Sequence, residues 1–422
     1  MKNRKTRKTI KTLLLLMLAA VTAITLISCN GNKNGNADTS KETNGTGDST
    51  EAETKEQNDN TVTIPEGSDY SKIFKAPEGD YREIAYNYML AMANYKWVAG
   101  ENFSIAWKDQ GDFKVDLNFK KGQTYYGLPY SEQRASLEQF SQFVAEGGTF
   151  TYPTYYYEEI VGNHCSSSMG LAYQHLIDFP YAGSLKPVGD RRGVIKLCGD
   201  LKQPEGDTTK SWYSADVISL NGKEKIFDAY ASMGRGDILG KFVEGSGHSR
   251  MVSKVEPVKS ASGKLLPARS RVYTIENTNS FDKTADRNTT WWIDHSYTFQ
   301  ELLDTNFIPL TLEIFHTNEP IEDAYIVMKG KNSPETIAKL INGTIESNYP
   351  LSYVRATITD SDGNVVSQIY RSKFDKTYKV NLRTNYSDLK ISTLKSGTYT
   401  FTLNAGIARG GFEIEKFDFT VN

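Results

Sequence analysis

Cysteine is scarce in this chain: 422 residues carry three, with 5 histidines and 13 prolines. Three cysteines cannot build a disulfide scaffold or an all-cysteine zinc cluster. Excess charge is lacking as well. Lys and Arg number 49 against 51 Asp and Glu, a net charge of −2, so nothing electrostatic points to a nucleic-acid partner. There is no glycine-rich phosphate loop or dinucleotide fingerprint, and Ser166–Ser168 lacks the Gly-x-Ser-x-Gly elbow of serine hydrolases. His164, His175, His295 and His316 show no metal-ligand spacing, so neither metal nor cofactor is expected. No repeat of fixed period runs along the chain.

What is present begins at the amino terminus. Lys2, Arg4, Lys5, Arg7, Lys8 and Lys11 precede an apolar run from Leu13 to Ile27, the layout of a secretory signal and rather short for a membrane span. Leu26-Ile27-Ser28-Cys29 resembles the bacterial lipobox, which implies cleavage before Cys29 and a lipid on that residue. Removing residues 1–28 takes away six bases and no acid and moves the net charge from −2 to −8. Residues 30–62 are rich in Asn, Gly, Ser, Thr and acid, without one aromatic. Such a stretch cannot bury enough apolar surface to fold and reads as a tether, with a random-coil span of about 30 Å. The expected organisation is a signal over 1–28, a lipidated tether over 29–62, one domain over 63–322 and another over 335–422. The folded part would lie outside the cytoplasm on a cell membrane or outer envelope membrane.

Asp80-Tyr81-Arg82-Glu83 has the form of a capping box, followed by apolar residues at helical spacing. A second helix is expected from Ser131 to Gly147-Gly148, and a third from near Cys165 to Leu176. Strand-like runs then dominate: Gly193–Cys198, Asp237–Val243, His248–Val255, Arg271–Ile275 and Phe307–Phe315. Helices first and sheet second predict an α+β domain. In the tail, alternation around Tyr353–Ile358 and the Asp362-Gly363 turn predict a small, Ig-like β-sandwich.

Cys165 opens the third helix, where free backbone N–H groups and the positive helix end favour thiolate and offer part of an oxyanion hole. Such a nucleophile needs an imidazole. His248 suits the role because Gly245-Ser246-Gly247 leads into its strand and leaves it facing a cleft. The residue that orients it should be polar and on the neighbouring strand, either Glu276 or Asn277. Cys198 reads as a core thiol, although outside the cytoplasm a Cys165–Cys198 disulfide would disable the nucleophile.

Gly127-Leu128-Pro129-Tyr130, then His164-Cys165-Ser166-Ser167, Gly247-His248 and Glu276-Asn277 form an ordered set. This set resembles the NlpC-type cell-wall peptidases, a papain-like superfamily of bacterial envelope enzymes, over about residues 80–315. The resemblance implies a papain-like domain of helices on an antiparallel sheet that cuts amide bonds in peptidoglycan stem peptides. It implies Cys165 as nucleophile, His248 as general base, Glu276 or Asn277 as orienting residue, and Tyr130, His164 and Ser166 against the substrate, with Tyr130 at its amino end. Two positions depart from the family pattern: His164 replaces an aspartate and Ser167 a glycine. The alternative is a non-catalytic surface lipoprotein whose degenerate papain-like domain binds cell-wall or protein ligands.

Overall fold

The computed structural model describes residues 62–422 apart from 109–116, 182, 206–211, 318, 375 and 386–388. The signal, Cys29 and nearly all of the tether fall outside the described residues. Strand β1 (Tyr70–Phe74) comes first, then helix α1 (Tyr81–Asn94). Asp80 caps α1, its carboxylate accepting from Arg82 N at 2.8 Å and Glu83 N at 3.1 Å. Glu83 does not close the box; it pairs with Arg235 at 2.8 Å. After β2 (Lys96–Ala99), β3 (Phe103–Ile105), β4 (Leu117–Phe119) and β5 (Thr124–Tyr126), the expected second helix shrinks to α2 (Leu137–Ser141). The chain before it is held as a loop: Ser131 Oγ donates to Ile160 O at 2.6 Å and Ala135 N to Gly162 O at 2.9 Å. Strand β6 (Thr149–Phe150) leads to α3 (Cys165–Gln174), which starts and stops close to where expected.

Next come β7 (Ile195–Leu197), α4 (Ser214–Asn221), α5 (Lys223–Ser232), β8 (Ile238–Val243), β9 (Ser246–Glu256), β10 (Arg271–Asn277), β11 (Trp291–Thr298), α6 (Phe299–Asp304) and β12 (Phe307–Leu312). The strands form one antiparallel sheet in the order β11-β10-β9-β8-β12-β7, and α3 lies against β9, β10 and α1. Met169, Ala172 and Tyr173 of α3 bury against Met251, Val252 and Ile275 of the sheet in one apolar core. Helices α4 and α5 escape a reading by period because Lys and Asp interrupt their short apolar stripes. The alternation of β11 is broken where Asp294 takes φ 56° and β10 carries a bulge at Thr274/Ile275.

The tail holds β13 (Ala324–Lys329), α7 (Pro334–Ile337), β14 (Thr344–Ser347), β15 (Leu351–Thr359), β16 (Val365–Ser372), β17 (Lys379–Asn381), α8 (Leu382–Asn385), β18 (Gly397–Ile407) and β19 (Gly410–Val421). Two antiparallel sheets, β1-β13-β14-β17 and β16-β15-β18-β19, share a core that includes Phe74, Ile326, Ile345, Val354 and Phe401. Strand β1, inside the segment expected to belong to the first domain, pairs with β13 in full register from Tyr70↔Met328 to Phe74↔Ala324. The fold as a whole is α+β, as expected.

Polar contacts bind the tail to the rest. Arg409, between β18 and β19, donates to His175 O at 2.8 Å and Leu176 O at 3.1 Å, the carbonyls that end α3. Tyr353 OH donates to Glu138 Oε1 at 2.9 Å, and Lys373 pairs with Glu132 at 2.8 Å.

Candidate active site

The segment before Cys165 is laid alongside the Gly127–Tyr130 motif. Asn163 N donates to Pro129 O at 3.1 Å, and Ser131 N to Asn163 O at 3.0 Å. This approach requires Gly162, because a Cβ there would stand 2.2 Å from Pro129 O. Gly127, at φ 83°, is required likewise: a Cβ would meet the Trp291 ring at 2.2 Å. His164 is extended at φ −123° and its N–H donates to Ser167 Oγ at 2.9 Å, so the Ser167 side chain closes the first turn of the helix back onto its N-cap residue. Cys165 therefore occupies the first position of α3 and is 8% exposed.

Opposite it, β9 supplies His248 and β10 supplies Glu276. The imidazole Nε2 bonds Glu276 Oε2, which leaves Nδ1 for the thiol. Glu276 is 1% exposed and is held from two further sides. Arg250 Nε stands 3.0 Å from Oε1, and Tyr297 OH donates to Oε1 at 3.0 Å. The Arg250 guanidinium is itself clasped between the rings of Tyr297 and Phe307, at 3.9 and 4.1 Å from their centroids.

These contacts set the charges. Burial pushes the Cys165 thiol up, but the His248 and His164 imidazoles outweigh it and hold the thiol well below its usual range. Burial works against the His248 imidazolium, yet the Cys165 thiolate and Glu276 together raise its pKa to about 10. Glu276 would be pushed up by burial and is instead lowered by His248 and Arg250. All three shifts act in one direction, toward a thiolate–imidazolium pair backed by an ionised carboxylate.

Glu276 and Asn277, left open as alternatives by the sequence, have different jobs. Successive residues of a strand face opposite ways. Glu276 meets His248, whereas Asn277 turns to the buried side and donates to Asn163 O at 2.9 Å and Asn163 Oδ1 at 3.1 Å. Asn277 also accepts from Thr290 Oγ1 at 2.8 Å, so it fixes the segment that leads into Cys165 and does not touch the imidazole.

A cleft of about 630 Å³ opens over the pair and includes Trp107, Tyr130, Tyr157, His164 and Ser166 in its wall. Tyr130 stacks on Tyr157 at 5.6 Å, and burial together with the Cys165 charge pushes its hydroxyl pKa up. His164 Nδ1 stands 3.3 Å from Ser166 Oγ, which is 3.1 Å from Tyr181 OH. All three residues expected near the substrate line the cleft.

Cys198 is free, as is Cys165. Cys198 is buried, and burial and Asp237 push its thiol pKa up. The His175 ring lies 3.9 Å from that of Tyr88 at a tilt of 44°, His295 pairs with Asp282 at 3.0 Å and His316 lies 3.0 Å from Thr311 Oγ1. Among the described residues no group of three His, Cys, Asp or Glu is placed to hold a metal. Sequence reasoning missed Arg250 and Tyr297. The one available signal for Arg250 was its spacing of two from His248, which puts both on one strand face. Comparison with protein-family models, with curated proteins and with solved structures gives no match.

Proposed function

We propose that this chain is a thiol hydrolase of amide bonds, with a papain-like layout of the NlpC type, acting on peptidoglycan stem peptides or related cell-envelope peptides. A lipid on Cys29 would hold it to a membrane. The observation that carries this reading is the meeting of Cys165, His248 and Glu276 from a helix start and two neighbouring strands beside an open cleft. In this mechanism the Cys165 thiolate attacks the amide carbonyl, and backbone N–H groups at the start of α3 receive the developing oxyanion. His248 passes its Nδ1 proton to the leaving amine, and a water activated by the same imidazole releases the acyl group.

Digestion of muropeptides by the wild type beside Cys165→Ala and His248→Ala tests it. Product formation is expected from the wild type alone; equal turnover by all three would refute it. Replacement of the family aspartate by His164 favours the second reading, a non-catalytic binder of wall or protein ligands. Iodoacetamide at pH 6 decides between them: a hydrolase labels at Cys165 far faster than at Cys198, and a binder with an unactivated thiol does not.

A further inference from the structure

The charge of the cleft wall is one-sided. Lys186, Arg191 and Lys241 line it with the imidazoles of His164 and His248, and among the described lining residues none is Asp or Glu. Glu276 stands behind the imidazole, committed to His248, Arg250 and Tyr297. A concave wall of one sign focuses its field on whatever enters.

Lys241 has a particular place in this wall. It is the cross-strand partner of His248 in the β8–β9 ladder. Directly opposite residues project from the same face with Cβ atoms about 5 Å apart. Both residues also line a second hollow of about 480 Å³ whose wall includes Arg250, Phe307 and Glu301, a carboxylate that already accepts from Thr298 N and Oγ1. The two sides of the main cleft differ accordingly. Tyr130 and Tyr157 stand on the side of the α3 start, while Lys241, Ser246 and Gly247 come from the hairpin that carries His248.

The imidazole that protonates a leaving amine has to stand beside that amine. The leaving group therefore lies over the β8–β9 hairpin, within reach of the Lys241 ammonium. Resting on the thiol-hydrolase reading above, we infer that the site selects substrates with a free carboxylate on the leaving-group side of the scissile amide, and that Lys241 receives it. The α-carboxylate of a residue released as a free amino acid qualifies, its carbon two bonds from the scissile nitrogen. The side-chain carboxylate of an acidic residue at that position shares the chemistry. Among the described lining residues, a substrate led by a free ammonium meets cations and imidazoles but no carboxylate.

Alkylation of Cys165 reads this without knowledge of the substrate. The whole protein is treated at pH 7 and low salt with iodoacetate, an anion, and with neutral iodoacetamide, and Cys165 labelling is followed by mass spectrometry. The ratio of the two rates, which cancels the thiolate fraction, is compared with that of N-acetylcysteine. The wild-type ratio is expected to exceed the free thiol's by about tenfold, to persist in Lys241→Arg, to fall by about tenfold or more in Lys241→Glu, and to shrink in 0.5 M salt. A ratio equal to the free thiol's, or unchanged in Lys241→Glu, would overturn the inference. Iodoacetamide labelling of Cys165 no faster than of Cys198 would instead remove the hydrolase reading beneath it. Protection of Cys165 by alanine but not alaninamide assigns an α-carboxylate, and protection by isoasparagine assigns a side-chain carboxylate. Equal protection by alaninamide, or none from either acid, counts against Lys241 as the receiving group.

Discussion

Replacing Glu276 by Gln changes one buried charge and little shape, and the consequence can be worked from the contacts. In the wild type, burial opposes the His248 imidazolium, while the Cys165 thiolate and Glu276 raise its pKa to about 10. A hydrogen bond between charged partners contributes about 1.5–3 kcal/mol, so its loss lowers the imidazolium pKa by about one to two units. Arg250, left without its carboxylate, adds a repulsion of the same sign. The thiolate–imidazolium pair exists above the Cys165 pKa and below that of His248, so the change removes the alkaline end of its range. Titration of ¹³C-labelled histidine by NMR, with His248 assigned through His248→Ala, should show the midpoint falling from about 10 to about 8–9. Muropeptide turnover should lose its alkaline limb over the same interval, with kcat/KM falling far more at pH 9–10 than at pH 7, where the imidazolium persists. A folded Glu276→Gln protein with an unmoved His248 midpoint would refute the assignment of Glu276 as the orienting charge.

Asn277→Ala strands the Asn163 side-chain oxygen and the Thr290 hydroxyl in a buried place and should cost about 2–4 kcal/mol in urea unfolding while leaving the His248 midpoint where it is. His175 is half-buried, and the desolvation of its ring together with Arg409 depresses its pKa from 6.5 to about 3. Between those two values the unfolded chain binds a proton that the folded one does not, so this residue makes stability fall as pH drops, by up to about 4–5 kcal/mol at the acid end. His175→Phe should therefore flatten the acid limb of Tm against pH, and an equally steep limb in the variant would disprove it. Arg409→Met removes donors from the carbonyls that end α3 and should lower stability by about 1–3 kcal/mol, read from the denaturant midpoint.

The Cys165–His248–Glu276 set was legible because Cys165 and Glu276 each obey a local rule. A residue behind a capping position opens a helix, and one of two adjacent polar residues on the next strand has to face the base; His248 does not open its strand as expected, because the β8–β9 ladder already begins at Ser246 and takes in Gly247. The choice between Glu276 and Asn277 was not legible, since it depends on which face of β10 turns to the cleft, and bulges on both sides of that strand set its register. Arg250, Tyr297 and Lys241 read as ordinary polar positions of exposed strands; only the sheet order puts their side chains around one imidazole. The contact of Asn277 with Asn163 spans 114 residues of sequence, and no period reports such a pairing. Strand β1 was missed for the same reason, its partner β13 lying near the other end of the chain.

That strand decides how the molecule bears a load. The chain enters the fold through β1, and β1 is hydrogen-bonded along its length to β13 in the sheets that carry no member of the Cys165–His248–Glu276 set. Tension transmitted from the amino-terminal side is taken up first by this ladder, whose antiparallel bonds lie across the strands, so that they are sheared together and not opened one by one. Helix α1 and the sheet that holds His248 lie downstream of the ladder in the chain, so a pull from the amino-terminal side meets the β1–β13 ladder before it meets them.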